Sequence, residues 1–192
     1  MADVERSFYH SDEEWTSMAE RLKLTACPHC QSVGTLIRHG CLRGYDESSP
    51  RQKTVRARRV FCSNRNARPG CGRTFSVFNA RKIRRLSLTA GCLWRFLQNA
   101  VAGSLAAASH AASSLRCDRT WQRVWKRFDL GQSKIRTALS GLCRPPQPPA
   151  GSPTRPPRRP AAAETLAHLQ AAFPQAECPV AAFQHTLHTF FV

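Results

Sequence analysis

Four cysteines, Cys27, Cys30, Cys62 and Cys71, are the residues of this chain whose type and spacing most clearly point to chemistry, and that chemistry is metal binding. Cys27-Pro-His-Cys30 is a Cys-x2-Cys turn, short enough for two thiolates to meet one tetrahedral ion. Cys62 and Cys71 have eight residues between them, Ser-Asn-Arg-Asn-Ala-Arg-Pro-Gly. About two to four are usual. The insert is polar and loop-like, so it can bulge outward while both sulfurs converge. The expected centre is a structural Zn2+ site, because four thiolates leave no open position for catalysis. Cys41, His29 and His39 compete as ligands, the long second spacing leaving room for a different fourth donor. Cys92, Cys117 and Cys143 fall in helical sequence and read as small core residues. Cys178, His185 and His188 form a weaker second cluster, better read as surface side chains of a helix.

Composition says what surrounds such a site. The 192 residues carry 29 Lys and Arg against 12 Asp and Glu, a formal net charge of +17. A chain of this charge attracts polyanions, and nucleic acid leads the possible partners. Six of the acids precede residue 27, whereas Ser48 to Arg144 holds 21 Lys and Arg and only Asp118 and Asp129. The basic field therefore belongs to the middle of the chain. Nine cysteines, an odd number, without a secretory signal suggest metal or free thiols in a reducing compartment. The start, Met-Ala-Asp-Val-Glu-Arg, reads as neither signal peptide nor lipidation motif. No apolar run approaches the roughly 20 residues that span a bilayer, so no membrane association is expected.

The elements that must position these residues follow from local pattern. Residues 11–23 read as a short helix, with Ser11 and Glu14 as a capping box and Trp15, Met18 and Leu22 on one face. Val33–His39, Thr54–Cys62 and Arg73–Phe78 read as strands, with Gly40, Gly44, Ser48-Ser49-Pro50 and Pro69-Gly70 as breaks. Helices are expected over about 86–102, 104–112 and 118–129, with Gly131 as a stop and a further helix over Ser133–Leu142. Residues 144–160 are Pro-rich and read as a stiff linker. Residues 161–173 and 179–191 read as two short helices, Pro179 opening the second. The expected fold class is α+β. A small β zinc ribbon (24–79) follows an N-terminal acidic helix (1–23). A basic helical domain (80–143), the linker (144–160) and a C-terminal helical pair (161–192) complete it.

Cys27-Pro-His-Cys30, then Arg58-Arg59-Val60-Phe61-Cys62-Ser63-Asn64, then Cys71-Gly72-Arg73-Thr74-Phe75-Ser76 resembles the zinc ribbon of insertion-sequence transposases and their accessory proteins. The resemblance covers about residues 25–79. It implies zinc held by Cys27, Cys30, Cys62 and Cys71, binding of double-stranded DNA, and a bacterial mobile-element setting, cytoplasmic and nucleoid-associated. The wide second spacing departs from the shorter common form.

The same family often places a helix-turn-helix after the ribbon, and this chain offers one. On the third helix Arg119, Arg123, Lys126 and Arg127 recur on one face with Gln122, opposite Trp121, Val124, Trp125 and Phe128. Arg and Gln can read base edges, and Lys more often holds phosphate. A solvated basic face without base readout is the alternative. Arg81, Lys82, Arg84 and Arg85 form a second cluster that reads as a phosphate clamp. Arg56, Arg58 and Arg59, with Arg51 and Lys53, alternate along a strand, and Arg73 leaves the second cysteine pair. An acidic-triad nuclease needs three carboxylates on an α/β domain. After the ribbon only Asp118, Asp129, Glu164 and Glu177 remain, so the expectation is a DNA-binding protein that is not an enzyme. An RNA-binding zinc protein and a protein-interaction adaptor are the other classes. The C-terminal helices would serve self-association or contact with a transposase, or fold back on the helical core.

Overall fold

The computed structural model describes residues 7–112, 117–147 and 158–192. It is a mixed α+β structure with a four-stranded sheet and six α-helices among the described residues. The chain divides at Lys82/Ile83 into two compact units, each with its own core.

The first unit opens with β1 (Phe8–Tyr9) and α1 (Asp12–Glu20), which runs into a 3-10 turn at Arg21–Leu24. Ser11 caps α1 by accepting the Glu14 N–H at 3.2 Å. The Glu14 carboxylate reaches back to the His10 N–H at 2.6 Å, one residue before the position a capping box would use. The strands β2 (Leu36–Asp46), β3 (Ser49–Cys62) and β4 (Thr74–Asn79) complete a sheet of order β1-β4-β3-β2. β2 and β3 form one long antiparallel hairpin, β4 is antiparallel to β3, and β1 runs parallel to β4. β1 and α1 thus belong to the same unit as the three long strands: Tyr9, Trp15 and Leu22 share its core with Leu36, Val60 and Val77.

Gly40 and Gly44 do not break β2. The register with β3 shifts between Arg38 and Cys41 and again on either side of Gly44. Gly40 has φ +96, and a Cβ on Gly44 would lie 2.6 Å from the Arg56 side chain. Both glycines mark irregularities within a strand that continues past them. Pro50 sits at the start of β3, where a strand tolerates it.

The second unit is helical: α2 (Ala90–Ala102), α3 (Leu105–Ala112), α4 (Asp118–Ser140), α5 (Pro160–Ala172) and α6 (Pro179–Leu187). α2 begins later than the sequence suggests. Residues 83–88 form a turn closed by the Ile83 N–H on the Leu88 carbonyl at 3.1 Å, and Thr89 then caps the helix. Gly131 does not stop α4. The buried positions Trp121, Val124, Phe128, Gln132, Ile135 and Leu139 form one unbroken stripe across it. The C-terminal helices fold back: Ala162, Leu166 and Leu169 of α5 and Val180, Ala181 and Phe183 of α6 lie in the same core as Phe96, Leu97 and Trp121. Arg159, just before α5, donates to the Ala100 and Gly103 carbonyls at the end of α2 and lies 5.0 Å from the centre of the Trp125 ring. Pro160, assigned to the linker from sequence, is the first residue of α5. Residues 148–157 of that linker and 113–116 of the turn before α4 lie outside the described residues.

Candidate metal centre

The chain brings Cys27, Cys30, Cys62 and Cys71 together, with all four Sγ atoms within 4.8 Å of one another. Cys27 Sγ is 3.8 Å from Cys71 Sγ, and Cys30 Sγ is 3.7 Å from Cys62 Sγ. A tetrahedral ion with metal–sulfur distances of about 2.3 Å needs sulfurs about 3.8 Å apart. The donor set therefore fits one metal ion.

Two matching backbone turns create this geometry. In the first pair the Gln31 N–H donates to the Cys27 carbonyl at 2.8 Å, and the Cys27 N–H donates to the Ser32 carbonyl at 3.0 Å. In the second, the Gly72 N–H donates to the Cys62 carbonyl at 3.0 Å, and the Cys62 N–H donates to the Arg73 carbonyl at 2.9 Å. The residue after the second cysteine is left-handed in both, Gln31 at φ +60 and Gly72 at φ +70. The eight-residue insert is therefore looped out of a turn that closes as the short one does. The sequence carries this only in part: Pro69-Gly70-Cys71-Gly72 announces a tight turn, but nothing in the spacing shows which bonds close it.

Further groups around the sulfurs were not legible in sequence. The Thr35 hydroxyl is 3.2 Å from Cys62 Sγ, and the Cys71 N–H points at the same sulfur at 3.3 Å. The His29 N–H points at Cys27 Sγ at 3.4 Å, and Ser32 Oγ lies 3.4 Å from Cys30 Sγ while donating to the Pro69 carbonyl. Donors aimed at sulfur stabilise thiolate and orient it. Cys27 and Cys62 are fully buried, Cys30 half-buried and Cys71 exposed. Burial pushes the Cys27 thiol up to about 12, while hydrogen bonding to Ser32 pulls Cys30 down to about 6. Sulfurs this close cannot all carry charge unaided, and a bound cation removes the conflict.

The competing ligands are elsewhere. Cys41 lies outside the cluster, His39 pairs with the Phe61 ring at 5.3 Å, and His29 is edge-on to Phe75 at 6.3 Å. Cys92 is a core residue, but Cys117 is exposed at the N-cap of α4 and Cys143 is half-buried beyond its end. Cys178, His185 and His188 form no metal-sized group among the described residues.

The basic residues divide into two kinds. Arg119, Gln122, Arg123, Lys126 and Arg127 are all exposed on α4, opposite buried Trp121, Val124 and Phe128. Trp121 is held by stacking on Phe96 at 4.4 Å, and Asp118 accepts the Ser109 hydroxyl of α3 at 2.7 Å. Arg73, Arg81, Arg84 and Arg85 are also exposed, Arg84 lying 4.6 Å from the centre of the Phe190 ring. Three members of the expected phosphate-binding set form ion pairs with acids. Lys82 meets buried Asp46 at 2.5 Å and Arg56 meets it at 3.9 Å, while Arg58 pairs with Asp12 at 2.8 Å and lies over Trp15. Composition could not reveal this, because each acid is distant in sequence from at least one cation it holds. Arg59 is half-buried on the sheet face away from Val60.

No helix among the described residues is long and apolar enough to cross a membrane. No family model, curated protein or solved structure matches the chain.

Proposed function

We propose that this protein is a zinc-dependent, non-enzymatic DNA-binding protein, similar to the DNA-recognition part of an insertion-sequence transposase or to an accessory factor of such an element. The observation that carries this reading is the exposed face of α4, where four cations and Gln122 stand together on a helix whose opposite side is core. A major groove admits such a helix, with Arg119, Gln122 and Arg123 facing base edges and Lys126 and Arg127 facing phosphate. The succession α2, α3, α4 supports a helix-turn-helix reading, with α4 longer than a minimal recognition helix. Zinc is the metal a closed set of four thiolates favours, in a structural role. Arg73, Arg81, Arg84 and Arg85 supply further phosphate contacts.

Duplex binding measured by anisotropy across a salt series tests the reading. With roughly six to ten phosphates neutralised, affinity falls by several orders of magnitude between about 50 and 200 mM salt. An Arg119→Ala/Arg123→Ala variant loses about tenfold or more. Structured RNA out-competing the duplex at matched salt would sink the proposal. Metal analysis of Cys27→Ser tests the zinc assignment, which fails if that variant keeps a full equivalent of zinc.

A further inference from the structure

The outer face of the sheet carries rings and cations that neither the metal centre nor α4 uses. In the register of the three long strands, Phe61 of β3 stands between Ile37 of β2 and Thr74 of β4, and Arg59 stands beside Ser76. Strand alternation puts Phe61 and Arg59 on the face opposite the fully buried Val60 and Cys62. His39 lies against Phe61, ring centres 5.3 Å apart and planes at 35°. The Arg65 guanidinium, from the insert between Cys62 and Cys71, sits 5.8 Å from the centre of the same ring. His39 and Arg65 are exposed, and Phe61 and Arg59 are half-buried. Phe61 takes no part in the buried core of the first unit. No acidic residue occurs from Ser48 to Cys117, the stretch that supplies Phe61, Arg59 and Arg65.

We propose that this face binds an unpaired DNA strand, one base stacking on the Phe61–His39 pair while the phosphates pass Arg59 and Arg65. The proposal rests on the nucleic-acid reading above but assigns a separate site and a different form of the partner. Charge and ring chemistry select the occupant. An acidic peptide would satisfy the arginines and leave the ring pair without a π partner. A duplex would satisfy the arginines too, but its base faces are closed within the stack. An unpaired strand offers phosphate and an open base face together. The looped-out insert gains a role from this: it carries Arg65 onto Phe61, which a short second turn has no residues to do.

Anisotropy with labelled oligothymidylate and with a duplex of equal length, on the full chain, tests the proposal. Phe61→Leu keeps apolar bulk and removes the ring. It lowers oligothymidylate affinity about tenfold, the equivalent of one lost base stack, and changes duplex affinity less than about twofold. His39→Gln, on the neighbouring strand and away from the ligands, produces the same selective loss at smaller size, and bound metal is measured in both variants to show the centre intact. The slope of log affinity against log salt is unchanged in Phe61→Leu and falls by about one in Arg59→Gln. Wild-type oligothymidylate binding by both ring variants overturns the proposal, as does tighter binding of oligouridylate than of oligothymidylate. Duplex binding that is absent, or insensitive to Arg119 and Arg123, overturns the α4 reading alone.

Discussion

At Gly70 the presence or absence of one carbon decides whether the second cysteine pair closes. A Cβ there would lie 2.2 Å from the Ser63 carbonyl oxygen and 2.9 Å from Cys62 Sγ. The first neighbour is backbone inside the turn that carries Cys62 and Cys71 and cannot swing aside. Gly70→Ala is expected to weaken metal affinity by about 10- to 100-fold, the range for disturbing the groups that orient ligands, as read by competition with a chromophoric chelator. Asp46 makes a different kind of prediction. Burial alone would raise its pKa, but Lys82, Ser48 and Thr54 hydrogen-bond the carboxylate and together hold it at about 2. The folded value lies below the unfolded one of about 3.9. The unfolded chain therefore takes up the proton first, and Asp46 stabilises the fold above about pH 4, an effect lost as pH falls toward about 2. Asp46→Asn removes the carboxylate facing Lys82 and Arg56 and costs about 3 kcal/mol near neutrality. The gap in denaturation midpoint between wild type and variant should narrow from pH 4 to pH 2, and a gap independent of pH would refute the assignment.

Helix α4 shows how a local signal loses to a longer one. Glycine in a helix interior costs about 1 kcal/mol relative to alanine, which is why Gly131 reads as a stop. Ending the helix there would forfeit the burial of Ile135 and Leu139, each worth about 1.5–3 kcal/mol. Gln132 is buried in the same stretch and is satisfied by Asp129 at 2.7 Å and Thr165 at 3.1 Å. Among the described residues, and apart from its chain neighbours and the helix's own nearby backbone, a Cβ at Gly131 would meet only Ile135 Cδ1, at 3.9 Å. Gly131→Ala should therefore raise stability by about 0.5–1 kcal/mol in chemical denaturation, and a loss would mean the glycine is structurally required. The same contrast separates what was legible in the sequence from what was not. Cys27 and Cys30 and the basic face of α4 follow from spacing, because each rests on a repeat of a few residues, whereas the widely spaced Cys62 and Cys71 are singled out by the flanking residues that carry the resemblance. The two-residue β1 has no period to detect, Gly40 and Gly44 look alike whether they end a strand or bend it, and the acids facing Arg58 and Lys82 lie 46 and 36 residues away.

The two units differ in what holds them together. The main buried cluster of the first, among the described residues, is Tyr9, Trp15, Leu22, Cys27, Leu36, Val60, Cys62 and Val77, and two of these belong to the cysteine cluster that could hold a metal. A β unit of this size buries too little apolar surface to offset its chain entropy unaided, and a metal held by the four cysteines would supply folding free energy directly. The second unit has a larger core, from Ile83 to Phe191, containing no residue of the cysteine cluster. Removing the metal from the intact chain should therefore act on one unit and spare the other. With a strong chelator, amide-exchange protection is expected to collapse in β2, β3 and β4 while persisting in α2, α4 and α5, and most far-UV helical signal should remain. Under the proposed function, duplex affinity should fall by the share of phosphate contacts assigned to Arg73 and Arg81 and keep the share assigned to α4. Simultaneous loss of protection in both units would show that the metal sustains one cooperative structure, and would make the basic face of α4 dependent on the cysteine site.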